Sequence, residues 1–252
     1  METTRAQAPL SGKIAVVSGG SSGIGAACVR ALAEAGATLA IGFNEGEERA
    51  EALRGELAGA GHIALRMPLA DHAEHAGIAN QLEARFGRVD VLVNSAGFTR
   101  RIAHGDIGTL DPVLFNEILC GNVGGTYSMI RALMPLLKAS GDAAVVNVSS
   151  VSAFTGLGSN IAYCAAKAAL DTMTMSLARA FGPVRFLSVS PAAVDTDFVQ
   201  GRNREELVKK AAATPLGRIV TPEDVALSVL ACVTHLRTAT GARIVIDGGH
   251  SL

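Results

Sequence analysis

The sequence predicts an α/β protein: one domain built on a doubly wound parallel sheet of about seven strands, with helices on both faces. Short apolar runs and helical stretches alternate from Lys13 to the C-terminus, with no repeats or low-complexity linkers between them. The opening unit, KIAVVSGGSSGIGAACVRALAEAGATLAIGF from Lys13 to Phe43, reads as strand, glycine-rich turn, helix and second strand. Composition agrees, since 49% of residues are hydrophobic, 18% are charged and mean hydropathy is +0.33. That balance suits strands buried on both faces.

A chain of 252 residues is long enough for one α/β domain with a large core, expected over residues 12–252 behind a loose arm, Met1 to Ser11. Net charge is -1 with a pI near 6.6, and acidic and basic residues are mixed, which argues against a nucleic-acid partner. Cys28, Cys120, Cys164 and Cys232 form no C-x-x-C pair, so they read as reduced thiols, with neither a zinc site nor a disulfide framework. The N-terminus has no apolar signal core, and nowhere do about 18 uninterrupted apolar residues occur. A cytoplasmic protein without a membrane span is expected.

In the opening unit, Gly19, Gly23 and Gly25 fall between strand and helix with the spacing G-x-x-x-G-x-G. Glycine there permits positive φ and lets backbone N–H groups approach a phosphate at the positive end of the helix dipole, so a mononucleotide or dinucleotide site is expected. Gly36 stops the helix, and the second strand, Thr38 to Gly42, runs into Phe43-Asn44. Dinucleotide fingerprints place a ribose-binding carboxylate near that strand end. Neither a carboxylate nor an arginine stands there, which tilts the expectation slightly to NADP over NAD, through Ser21, Ser22 and Asn44.

A helix from Glu47 to Ala58, a strand from His62 to Met67 and a helix from about His72 to Phe86 follow. His62, His72, His75 and His104 read as solvated loop and helix-end residues, with no spacing that gives them a metal geometry. The strand Val89 to Val93 ends in Asn94-Ser95-Ala96-Gly97, small and polar as the back wall of a cofactor cleft requires. The loop Phe98 to Leu110 carries Arg100 and Arg101, which read as solvated surface or, alternatively, as a contact for an anionic substrate. Asp111-Pro112, an Asx cap followed by Pro, opens a long helical region to about Lys138. Asn122 sits inside it among Gly121, Gly124 and Gly125. Each such glycine costs a helix about 1 kcal/mol, so close packing or a functional kink is expected.

The apolar run Ala143 to Val146 leads into Asn147 to Ser150, at the carboxyl end of a buried strand, where α/β proteins hold ligands. A helix from Tyr163 to Ala180 sets Tyr163 and Lys167 one turn apart on one face. An ammonium beside a phenol favours the phenolate and draws its pKa down from about 10, toward the range of an acid/base catalyst. Ser150 is then placed to share a substrate oxygen with Tyr163. Beyond lie a strand, Val184 to Ser190, and the turn Pro191 to Thr196. The charged stretch Asp197 to Lys210 reads either as a mobile lid or as an ordinary exposed helix. Thr221-Pro222-Glu223-Asp224 caps the last helix, and Arg243 to Asp247 closes the sheet.

Together these segments resemble the short-chain dehydrogenase/reductase family from Ser11 to Leu252, and its 3-oxoacyl-carrier-protein reductase branch in overall sequence. SGGSSGIG at Ser18 to Gly25 is similar to the family's cofactor turn, NSAG at Asn94 to Gly97 to its N-N-A-G, and YCAAK at Tyr163 to Lys167 to its Y-x-x-x-K. Ser150 lies 13 residues before Tyr163, at the family's usual separation, and Asn122 in NVGGT resembles its fourth catalytic residue. The resemblance implies a Rossmann-like fold and hydride transfer between a nicotinamide cofactor and a carbonyl or secondary alcohol substrate. It implies Tyr163 as general acid/base, Ser150 as the hydrogen-bond partner of the substrate oxygen, and Lys167 on the nicotinamide ribose. Asn122 would hold a water that links Lys167 to solvent. Implied cofactor contacts are Gly19, Ser21, Ser22, Gly23, Ile24 and Gly25 in the turn, then Phe43, Asn44 and Leu69, then Asn94, Ala96 and Gly97, and finally Val194 and Thr196.

Three positions depart from the family pattern. Pro68-Leu69 stands where the family has Asp-Val, which removes a side-chain contact to adenine, Ser95 replaces the second Asn of N-N-A-G, and Ala192 replaces the glycine of its P-G turn. A nucleotide-binding regulatory or scaffold protein without turnover is the alternative function, and the intact set of Ser150, Tyr163, Lys167 and Asn122 argues against it. A methyltransferase would leave the Tyr-Lys pair without a role. Residues Phe98 to Leu110, Val151 to Asn160 and Asp197 to Ala213 are expected to line the substrate pocket. The apolar helices Val113 to Leu137 and Tyr163 to Phe181, with the resemblance, imply a homotetramer.

Overall fold

The computed structural model describes residues 8–201 and 203–252. Their strands are β1 (Ile14–Ser18), β2 (Thr38–Phe43), β3 (Ile63–Arg66), β4 (Val91–Asn94), β5 (Ala144–Val148), β6 (Arg185–Pro191) and β7 (Ala242–Ile246). They form one parallel sheet in the order β3-β2-β1-β4-β5-β6-β7. The order reverses between β1 and β4, and the carboxyl ends of those neighbours open the crevice in which doubly wound sheets bind ligands.

Alternate strand residues feed two separate cores, which is why the strands read as continuous apolar runs. Val17, Leu39, Ile41, Val93, Val146 and Val189 face α1 (Gly23–Glu34), α2 (Glu47–Glu56) and α9 (Pro222–Thr234). Val16, Leu92, Val145 and Phe186 face α3 (Glu74–Phe86), α5 (Thr126–Ser140) and the far end of α7 (Ile161–Ala180). A third, smaller cluster joins α4 (Pro112–Leu119) to the first turns of α7 through Leu114, Ile118, Ala162 and Ala166. Two short helices complete the chain, α6 (Ser152–Thr155) and α8 (Arg204–Ala212).

Several expectations change. Residues 1–7 of the expected arm lie outside the described residues, but Leu10 is buried and its N–H donates to Ala35 O, so the last part of that segment packs on the domain. The predicted long helix is three pieces, because a π-helical segment, Cys120–Gly125, separates α4 from α5. Its glycines are packing sites: a Cβ at Gly121 would strike the Phe98 ring and one at Gly125 would strike Leu69 O. His62 and His75 are buried rather than solvated. His62 Nδ1 accepts from Leu39 N and its Nε2 lies 3.0 Å from Ala58 O, whereas His75 Nε2 lies 2.8 Å from Pro68 O. α7 begins two residues before Tyr163, because Asn160 caps it by accepting from Tyr163 N at 2.7 Å.

Candidate active site

A cleft of about 1330 Å³ opens at the reversal point, and the residues singled out by sequence converge on it. Gly19, Ser22, Gly23, Ile24 and Gly25 line one end, Ala96 and Gly97 the back, and Ser150, Tyr163 and Lys167 the floor, with Val194 and Thr196 on the far wall. Phe43 and Asn44 stand at the end of β2, Ser21 and Leu69 beside the crevice, and Asn94 and Asn122 behind it, all outside the lining itself.

The glycine turn is fixed by contact as well as by φ. Gly19 and Gly23 have φ of 65° and 51°, and a Cβ on Gly25 would fall on Gly19 O, so α1 can start this close to β1 only without a side chain there. The N-termini of α4, α7, α8 and α9 are capped by the side chains of Asp111, Asn160, Asn203 and Thr221. α1 has Ser22 at its N-cap with no side-chain cap bond and no acidic residue in its first turn, and so presents free N–H groups to the cleft. This cradle fits the pyrophosphate of a dinucleotide. Thr196 stands against it, its Cγ2 3.3 Å from the position of a Cβ on Gly23.

Helix α7 sets the pair at its centre. Its cap, Asn160, is itself buried and donates to Arg100 O and Thr99 Oγ1, so the loop after β4 and the first turn of α7 are tied together. Tyr163 and Lys167 follow one turn apart, with Lys167 Nζ 5.5 Å from the Tyr163 ring centroid. Lys167 is buried and donates to Val148 O at 2.7 Å. Burial disfavours its cation and brings the pKa down to about 8, while the Asp171 carboxylate opposes that fall.

Ser150 enters from the end of β5. Its Oγ accepts from Ser152 N at 3.1 Å and donates to Ser152 Oγ at 3.0 Å. Ser152 was expected only as part of the wall Val151 to Asn160, and nothing in the sequence but its distance of two residues marks it as the partner of Ser150. Asn122 is held by the π-segment, where Nδ2 donates to Phe98 O and Ile118 O and Oδ1 accepts from Phe98 N. Behind the floor, Asn94 Nδ2 donates to Asn147 Oδ1, and Asn147 Nδ2 donates to Thr174 Oγ1, joining β4, β5 and α7. These two asparagines spend their side chains on the scaffold.

All three expected wall regions line the cleft, through residues such as Arg101, Leu157 and Phe198. The Phe198 ring lies 6.0 Å from that of Tyr163. The charged stretch after β6 forms α8, with Leu207 and Ala211 turned inward, and Arg101 bridges to it through Glu206 at 3.0 Å and Gly201 O at 3.0 Å. Arg101 therefore links two walls. Ala192 takes its turn without left-handed backbone, since no non-glycine residue among those described has positive φ.

Comparison with known proteins agrees with this geometry. Residues 19–251 match the family described as enoyl-(acyl carrier protein) reductase. The protein named ketoacyl reductase 2 of the granaticin polyketide synthase of Streptomyces violaceoruber is 35% identical, over 100% of both chains. The chain belongs to the short-chain dehydrogenase/reductase family. D-threitol dehydrogenase of Mycolicibacterium smegmatis is 34% identical, covering 96% of this chain and 94% of its own. A dehydrogenase/reductase of Sinorhizobium meliloti superposes with a TM-score of 0.87 at 30% identity, over 98% of each chain. As a short-chain dehydrogenase/reductase, the protein is an NAD(P)-dependent oxidoreductase acting on small molecules. Among the described residues no helix is long and apolar enough to cross a membrane.

Proposed function

We propose that Tyr163 is the general acid/base of a ketone and secondary-alcohol oxidoreductase, with Ser150, Lys167 and Asn122 in support. The observation that carries this reading is the meeting of Ser150, Tyr163 and Lys167 with the uncapped glycine turn in one cleft. When bound, the dinucleotide supplies or accepts the hydride at nicotinamide C4. Tyr163 Oη gives its proton to the carbonyl oxygen during reduction and takes it back from the hydroxyl during oxidation. Ser150 Oγ donates to the same oxygen and orients it. The Lys167 ammonium holds the nicotinamide ribose hydroxyls and favours the phenolate. Asn122, fastened by its side chain to Phe98 and Ile118, would hold a water that links Lys167 to solvent.

The amide groups at Ser22, Gly23, Ile24 and Gly25 would hold the pyrophosphate, and Gly19, where a Cβ would strike the Ala96 backbone, lets this turn close on the segment after β4. Val194 and Thr196 would face the carboxamide and phosphates, and Ala96 and Gly97 would form the back wall, which Asn94 supports from behind through Asn147. Ser21, Phe43, Asn44 and Leu69 surround the adenosine end. Exposed Asn44, where a carboxylate would repel a 2′-phosphate, supports NADP over NAD. Leu157, Phe198, Val199 and Leu207 line the outer cleft and suit a substrate with an apolar body. Exposed Val113, Tyr127, Ile161 and Met175 on α4, α5 and α7 support a homotetramer, and a cytoplasmic location accords with the free cysteines.

The test is NAD(P)H oxidation over a panel of ketones and 3-oxoacyl thioesters, with NADH and NADPH titrated separately. Tyr163→Phe is expected to lower kcat/KM by about 10³-fold while dinucleotide affinity stays within about threefold. Equal rates for wild type and Tyr163→Phe on every substrate would remove Tyr163 from the chemistry.

A further inference from the structure

Lys167 must stay charged to do what is proposed for it, yet it is buried and its hydrogen bond goes to a neutral carbonyl, Val148 O. One turn further along α7, on the same face, lies Asp171, whose carboxylate is also buried. Asp171 Oδ2 accepts from Arg243 Nη1 of β7 at 3.2 Å, while Oδ1 is buried without a hydrogen-bond partner among the described residues. The Arg243 guanidinium in turn stacks over the Phe154 ring at 4.1 Å, and Phe154 belongs to α6, the helix that follows Ser150. A buried carboxylate is expensive unless a charge or a task retains it. Arg243 is partly exposed and meets only one of its oxygens.

We propose that Asp171, held by Arg243 against Phe154, is the counter-carboxylate that keeps Lys167 cationic beside Tyr163. Asp171 acts through Lys167 and is therefore a positioning residue, and the proposal rests on the roles assigned above to Tyr163 and Lys167. The field at Lys167 is simple enough for this assignment. Of the elements packed on α7, α6 and the π-segment carry no charged residue, Glu117 of α4 is exposed, and Arg185 of β6 is spent on the carbonyls at the end of α9. Arg243 of β7 is the charge that reaches Asp171, and the titratable neighbours on α7 itself are Tyr163 and Cys164, whose thiol burial pushes up and keeps neutral. The direction of the effect at Lys167 agrees, since Asp171 raises its pKa against the larger lowering by burial. The same arrangement couples an edge strand to both the Ser150 and the Lys167 sides of the site.

The experiment compares Asp171→Asn with wild type in two readouts. In kcat/KM against pH, the alkaline limb of the variant is expected about one pH unit lower, so that activity falls roughly eightfold at pH 8.5 and less than twofold at pH 6.5. In thermal melts of the cofactor-free protein, Lys167 carries fewer protons folded than unfolded between its folded pKa and 10.5, so stability rises with pH across that window. Measured as the difference from a Lys167→Met background, the rise begins near pH 8 in wild type and about one unit lower in Asp171→Asn. Asp171→Glu should restore both positions, and Arg243→Gln, which leaves the carboxylate unshielded, should move both upward. An unshifted limb and melt in Asp171→Asn, with Tyr163→Phe inactive, overturn this proposal alone, and fully active Tyr163→Phe overturns the roles beneath it. Should Asp171→Asn not fold, an unshifted Arg243→Gln overturns the proposal equally.

Discussion

At the amino end of the sheet, Asp90 is buried and its carboxylate accepts from Ile14 N at 2.8 Å, Lys13 Nζ at 3.1 Å, Ser140 Oγ at 2.7 Å and Arg88 Nε at 3.1 Å. At the carboxyl end, Lys167 is equally buried and donates to Val148 O. Burial pushes the Asp90 carboxyl up, but the bonds from Ile14, Ser140 and Lys13 outweigh it and hold the group below the usual carboxylate range. Burial wins at Lys167, whose pKa falls to about 8. Asp90 finds its partners inside the protein and contributes stability, whereas among the described residues Lys167 donates to Val148 O and has donors left that a ligand can use. The contrast separates a structural end from a working end of one sheet.

The two ends should respond to substitution in different currencies. Gly25→Ala at the working end carries the largest expected effect, because the new Cβ would lie on Gly19 O and 3.1 Å from Gly20 Cα. Dinucleotide Kd, read by fluorescence titration, should rise roughly 100-fold, or about 3 kcal/mol. An unchanged Kd would show that the turn adapts and would erase the close-contact argument. Asp90→Asn at the structural end should leave kcat/KM within about twofold and remove about 2 kcal/mol of stability at neutral pH. Because the folded pKa of Asp90 lies below the unfolded one, its contribution is full above the unfolded value near 3.9 and fades as pH falls through the folded value. Melts taken toward pH 3 should therefore bring variant and wild type together, and a gap that persists there would mean that the loss is steric. Arg88→Ala is the smallest case, below about 1 kcal/mol, since its side chain is 43% exposed and Lys13 remains on the carboxylate. A larger loss would make Arg88 an equal partner at that end.

Much of this was legible because it is local. The cap Asp111 with Pro112, the box between Thr221 and Asp224, and the glycine turn are patterns within a few residues, and all form as read. The pairing of Tyr163 with Lys167 follows from helical periodicity alone. What failed was non-local. His62 and His75 looked solvated because their partners, Leu39 N and the carbonyl of Pro68, are set by how β2, β3 and α3 pack. The glycines around Asn122 announced close packing, but that Phe98 and Leu69 would press on them, and that the helix would widen into a π-segment, depends on which strand ends arrive there.

Periodicity and glycine spacing were thus enough for the α/β class and for the glycine turn between β1 and α1, since short-range sterics and hydrophobic alternation govern both, whereas the roles proposed for Ser150, Tyr163 and Lys167 came with the resemblance of their motifs to the family. Asp171 is different. Its distance of four residues from Lys167 was visible, yet an aspartate on a helix ordinarily faces water, and its burial beneath Arg243 and Phe154 arises when β7, α6 and α7, distant in the chain, close around it. Burial sets how strongly a charge acts, and burial belongs to the assembled fold.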